Sequence, residues 1–162
     1  MVKLITWKRF EDDRGWFAET YKPSYLLGEV FLQDNMSRSA KGVIRGLHYQ
    51  PGMGKLMRVT RGSAYLVALD LRSTDITETV CYTLSSDSPC AVWAPDWYAR
   101  GFQALTDDTE ICYKCTATYN PAIEGAVRWD SVGIQWPLEP TIISPKDRKA
   151  PTFDEYKRHP RF

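Results

Sequence analysis

From Leu4 onward the chain is cut into short apolar and β-branched runs by glycine, proline, serine and aspartate, one run about every ten residues. The runs are Leu4–Trp7, Val30–Ser37, Val43–Tyr49, Leu56–Thr60, Ala64–Leu71, Glu78–Leu84, Ala91–Ala94, Gly101–Leu105 and Glu110–Tyr119. They are rich in Val, Thr, Tyr and Leu, side chains that suit a pleated, half-buried surface. This spacing predicts an all-β sandwich or barrel. Arg61-Gly62-Ser63 reads as a tight turn between two of the strands. Short helices are expected over Pro23–Leu27 and near Asp154–Lys157. The 162 residues suit one domain, 1–162, with one sizeable core. The stretch Val132–Phe162, rich in proline and charge, is expected to wrap the barrel or to pack on a partner.

Twenty-one basic residues face twenty acidic ones, a balance that gives no reason to expect nucleic-acid or membrane-surface binding. An anionic ligand therefore needs a local cluster. No apolar run approaches the roughly 20 residues of a membrane span. The polar stretch Met1–Gly15 has no apolar signal core, so the expected location is cytoplasmic. Four cysteines are too few for a disulfide scaffold.

Histidine is scarce. His48 and His159 are the two in the chain, and a three-histidine metal site cannot be built from them. No metal is expected. Cys112 and Cys115 match a CxxC pattern, but residues three apart on a strand point to opposite faces, and no second pair has ligand spacing. Tyr113 and Tyr119, six apart, would share one face of a regular strand with Ile111, Cys115 and Ala117; taken alone, this pattern is better explained by barrel filling than by function. Gln33, Asn35 and Ser37 form a polar stripe on another strand. Arg14, Arg45, Arg58 and Arg72 each lie close to a strand, and two guanidinium forks converging on one pocket could hold a pyrophosphate. Arg45 and His48 pose a problem of alternation. Three residues apart, they reach one pocket only if the strand is distorted, and Gly46 is the natural place for a bulge.

Taken together, several runs resemble the dTDP-4-dehydrorhamnose 3,5-epimerase family, nucleotide-sugar epimerases of the cupin superfamily. They are Asp13–Glu19, Gln33–Ser39, Arg45–Gln50, Gly54–Val59, Ala68–Arg72, Tyr113-Lys114 with Tyr119-Asn120-Pro121, Arg128–Asp130, Ile134–Pro137 and Ser144–Asp147, in family order. The resemblance implies a cupin-like jelly-roll barrel, a homodimer, no metal or organic cofactor, and an isomerase acting beside the C4 ketone of a dTDP-linked 6-deoxy sugar. It implies His48 as catalytic base, Asp147 as its carboxylate partner, Lys55 as enolate stabiliser and Tyr113 as general acid. Tyr119 matches a tyrosine at the nucleotide end. Arg14, Glu19, Gln33, Asn35 and Arg45 match substrate-contact positions. Arg100 stands where the family usually carries histidine, and it is counted with the substrate-binding residues.

The side chains suit the chemistry. A proton beside a ketone is weakly acidic, and a free imidazole titrates near neutrality. A carboxylate on the other ring nitrogen fixes the tautomer. Inversion then needs a proton donor on the opposite face of the sugar, and a phenol has the reach. Two other readings stay open: a 3,4-ketoisomerase on similar sugars, and a non-catalytic sugar-nucleotide-binding module.

Overall fold

Strand alternation decides which side chains meet inside this protein. The structure, a computed structural model, describes residues 1–26, 28–73 and 79–162. Its strands are β1 (Lys3–Thr6), β2 (Arg9–Asp12), β3 (Gly15–Ala18), β4 (Gln33–Ser39), β5 (Ile44–Tyr49), β6 (Lys55–Arg61), β7 (Ser63–Asp70), β8 (Thr79–Ser85), β9 (Cys90–Ala94), β10 (Tyr98–Ala104), β11 (Thr109–Cys115) and β12 (Gly125–Ala126). Two antiparallel sheets, ordered β1-β9-β6-β11-β4 and β12-β5-β10-β7-β8, face each other as a cupin-type jelly roll, and β2-β3 forms a separate hairpin. Met57 and Val59 of β6, Ile111 of β11, Leu66 and Ala68 of β7 and Phe102 of β10 fill the interior between the sheets.

The opposite face of the second sheet is also apolar, with Leu47, Tyr49, Val67, Leu69 and Ala99. Val132, Phe153 and Tyr156 cover it, flanked by Ile134, Trp136 and Phe162. The C-terminal stretch thus wraps the barrel. Burial of a side chain such as Phe153 stabilises by roughly 1.5–3 kcal/mol. Helix α2 (Phe153–Arg158) starts with a capping box, in which Thr152 and Glu155 satisfy each other's backbone N–H groups.

Several expected boundaries moved. The strand expected over Glu110–Tyr119 stops at Cys115, because Thr116 is drawn into a reciprocal hydrogen-bond pair with Gly54 and the chain then bends toward Asn120-Pro121. The strand expected from Val30 begins at Gln33, and that expected from Gly101 begins at Tyr98. Pro23–Tyr25 forms a 3-10 turn; Leu27, at the end of the helix expected there, and Glu78, at the start of another expected strand, lie outside the described residues. The β2-β3 hairpin and a one-turn helix α1 (Pro145–Arg148) were not expected. Among the described residues no helix is long and apolar enough to cross a membrane.

The bulge anticipated at Gly46 is present. In the β5–β10 pairing Arg100 opposes His48, whereas Phe102 opposes Arg45. Three steps along β5 thus match two along β10, and Arg45 and His48 come to the same face. Gly46 has φ +137°, and a Cβ there would sit 2.6 Å from Gly101 Cα and 3.1 Å from the Arg100 carbonyl oxygen. Both the conformation and the close approach demand glycine. Gly46→Ala is expected to cost roughly 2–3 kcal/mol or more. Thermal unfolding followed by circular dichroism should show a melting temperature lower by about 5–10 °C; an unchanged melting temperature would contradict this account of the crossing.

Candidate active site

The inward faces of β4, β5, β6, β10 and β11 enclose a cavity of about 490 Å³, with Ile142, Ser144 and α1 closing one side. His48, Asp147, Lys55, Tyr113, Arg45 and Arg100 all line it. Sequence separations of up to about a hundred residues therefore collapse onto one volume.

His48 and Asp147 are in contact, with His48 Nε2 2.6 Å from Asp147 Oδ1. Asp147 is brought there by α1, whose first turn is set by Pro145 and by Ser144, the Oγ of which accepts the Asp147 N–H at 3.0 Å. The second carboxylate oxygen accepts the Gly46 N–H at 3.3 Å, so the bulge also anchors the acid. Burial pushes the Asp147 carboxyl up. The hydrogen bond and charge of His48, the Gly46 N–H and the Ser144 hydroxyl outweigh it and hold the group below the ordinary carboxylate range. An ionised carboxylate at Nε2 favours the tautomer with the proton on that nitrogen and leaves Nδ1 its lone pair.

Lys55 projects from β6 to the same space, its Nζ 5.0 Å from the Tyr113 ring centre. Burial, and then the Arg100 charge, lower its pKa to about 8 against the weaker pull of Cys115 and Glu124. Burial raises the Tyr113 phenol, which is therefore a neutral O–H donor near neutrality. Arg45 Nε donates to Ser39 Oγ at 3.0 Å, and the side chain reaches the open part of the cavity. Arg100 is buried, and burial lowers its pKa to about 10, so it stays cationic at neutral pH. Arg38, Arg45, Lys55, Arg100 and Lys146 line the cavity against one carboxylate, Asp147, among the described residues. Such a site suits an anion.

Other expected residues lie elsewhere. Gln33 and Asn35 face inward on β4, bonded to each other at 3.0 Å. Gln33 Oε1 accepts the Tyr119 N–H, and Asn35 donates to Cys115 Sγ, but neither residue lines this cavity. Tyr119 is off the strand and half exposed, so the face it was expected to share with Tyr113 does not exist. Its hydroxyl donates to Glu124 Oε2 at 2.9 Å. Arg14, at the tip of the β2-β3 hairpin, is fully exposed and paired with Asp12, and Glu19 is paired with Lys22. Arg58 lines a separate depression of about 270 Å³, and Arg72 is paired with Asp70 at 2.7 Å. Cys112 lines that same depression while Cys115 is buried, as alternation requires of a CxxC pair on a strand. No three His, Cys, Asp or Glu side chains cluster as metal ligands among the described residues.

Lys146 and Glu124 are among the residues that had no role assigned from sequence. Lys146 lines the cavity beside Asp147 and donates to Glu124, the same acid that holds Tyr119. Lys146 lay inside the Ser144–Asp147 run; Glu124 belonged to no motif, and nothing local marked it.

Comparison with known proteins agrees with this geometry. The family described as dTDP-4-dehydrorhamnose 3,5-epimerase matches residues 1–155. A relative of that name from Neisseria gonorrhoeae is 39% identical over 97% of this chain, which spans only 51% of that longer protein. One from Salmonella typhimurium is 38% identical, with 95% of this chain and 91% of the relative covered. A crystal structure of dTDP-6-deoxy-D-glucose-3,5-epimerase from Legionella pneumophila, in complex with dTDP-4-keto-L-rhamnose, superposes with a TM-score of 0.87 at 38% identity, covering 94% of this chain and 88% of that one. Fold, cavity and sequence thus agree, and the chain belongs to the dTDP-4-dehydrorhamnose 3,5-epimerase family.

Proposed function

We propose that residues 1–162 act as one epimerase domain that inverts C3, C5 or both in a dTDP-linked 4-keto-6-deoxy sugar. The observation that carries this reading is the 2.6 Å His48–Asp147 pair inside a cationic cavity. His48 Nδ1 removes the proton from a carbon beside the ketone. The C–H electron pair becomes part of the enolate double bond, and the C4 oxygen takes the negative charge. Lys55 stabilises that oxygen. Tyr113 returns a proton from the opposite face, re-forming C–H and C=O with inverted configuration. Solvent then takes the proton from His48 and restores that of Tyr113, so the balance is isomerisation alone. Arg45, at the open part of the cavity, is suited to the diphosphate, and Tyr119 to the nucleotide end.

The working unit is a homodimer, and the setting is the cytoplasm. Phe10, Trp16 and Phe17 of the hairpin are exposed, as are Leu32 and Met36 at β4. Exposed apolar groups of this kind are normally covered by a partner. A second copy would cover them, and its hairpin is the element able to carry Arg14 and Glu19 to a cavity they do not reach within one chain. Gln33 and Asn35 support the Tyr119 loop.

Incubation with dTDP-4-keto-6-deoxyglucose in deuterated water should introduce deuterium at the inverted carbons. His48→Ala should abolish that exchange while far-ultraviolet circular dichroism stays unchanged; exchange at the normal rate in this variant would refute the base assignment. If the Lys55 ammonium is the active form, kcat/KM should fall about tenfold per pH unit above pH 8. Lys55→Arg should remove this alkaline limb, and a limb that persists unaltered would belong to another group. Sedimentation should give twice the chain mass, with Phe17→Glu driving the protein to monomer. A monomer in the unaltered protein at micromolar concentration would rule out the dimer.

A further inference from the structure

Arg100 is 3% exposed, and no carboxylate lies within ion-pair distance of it among the described residues. Its Nη1 is tied down, donating to the carbonyl oxygens of Met53 at 2.8 Å and Pro95 at 2.9 Å. Its Nε and Nη2 are buried and have no partner, although the side chain lines the cavity. Unmet donors on a buried cation are costly, and native interiors retain few of them. Beside it sits Lys55, a partly buried cation with no ion-paired carboxylate among the described residues. Two such charges side by side are tolerable where an anion, or a group that becomes one, completes them.

The position of Arg100 separates the two anions available. A diphosphate is permanently charged and suits the open part of the cavity, where exposed Arg45 lies. Arg100 is instead the cross-strand partner of His48, and such partners lie about 5 Å apart at Cα. It is therefore at the depth of the base, where the ketone must be if His48 is to reach the adjacent carbon. The three carbonyl bonds of Nη1, including a longer one to Ala94 at 3.4 Å, fix the guanidinium, so its charge is held in place before any ligand enters.

Resting on the epimerase reading, we infer that the buried charge of Arg100 acts through the cavity wall on the C4 oxygen of the enolate and, with Lys55, forms a two-cation field that stabilises it. Removal of a proton from C3 or from C5 places the charge on the same oxygen. A charge acting on that oxygen must therefore serve every carbon the enzyme inverts.

The test compares the unaltered protein with Arg100→Gln and Arg100→Lys, using dTDP-4-keto-6-deoxyglucose in deuterated water and measuring dTDP affinity by calorimetry. In Arg100→Gln, kcat should fall about 10²–10³-fold, deuterium entry should fall by the same factor at each carbon that normally exchanges, and dTDP affinity should stay within about threefold. Arg100→Lys, which retains a cation, should lie between the two and guards against a fold lost to the neutral variant. Unaltered exchange in both variants, loss at one carbon alone, or lost dTDP affinity with kcat retained would each overturn the assignment. Absence of exchange in the unaltered protein would instead sink the epimerase reading beneath it.

Discussion

The crossing of β5 and β10 is the constraint on which the site rests. Gly46 and Gly101 let the two backbones approach more closely than side chains would permit, and the extra residue taken up in β5 reverses the alternation there. Without it either Arg45 or His48 would point into the outer core with Leu47 and Tyr49. The same Gly46 offers its N–H to Asp147, so the distortion that aims the histidine also holds its carboxylate. One irregularity in an otherwise ordinary sheet thus sets both members of the pair.

Around that pair the electrostatics run against stability. Lys55, partly buried, and Arg100, buried, are cations whose titration is displaced downward, and neither has a carboxylate partner among the described residues. Asp147 is the exception, held ionised by a ring of donors despite burial. A site meant only to fold would exchange such groups for apolar ones at little cost or with gain. Their retention is what a cavity waiting for an anionic ligand requires, and the well-packed interior of Met57, Ile111 and Phe102 alongside supplies the compensating burial.

Much of this was legible from residue order because period-two alternation is a strong local signal. It marked the polar stripe Gln33–Asn35–Ser37, the opposed cysteines of the CxxC and the bulge at Gly46. It failed at Tyr119, where the strand is ended by tertiary hydrogen bonds from Thr116 to a loop some sixty residues earlier, a partner no local pattern reveals. Helix α1 was missed for a related reason: four residues are too few to show a helical period, although the Ser-Pro start was written in the sequence. Glu124 was invisible because its importance lies wholly in Tyr119 and Lys146, which meet only in the fold.

The carboxylate of the pair comes from the wrapping tail, ninety-nine residues beyond the histidine it orients. Synthesis proceeds from the N-terminus, so every strand of the barrel leaves the ribosome before Asp147 does. A nascent or clipped chain can hold every strand of the barrel and still lack the means to orient its imidazole. On the proposed mechanism, chemical competence is therefore conferred last, at the moment the tail seats Val132, Phe153 and Tyr156 against the sheet. Proton-transfer capacity becomes a reporter of whether the outermost layer of the protein has closed.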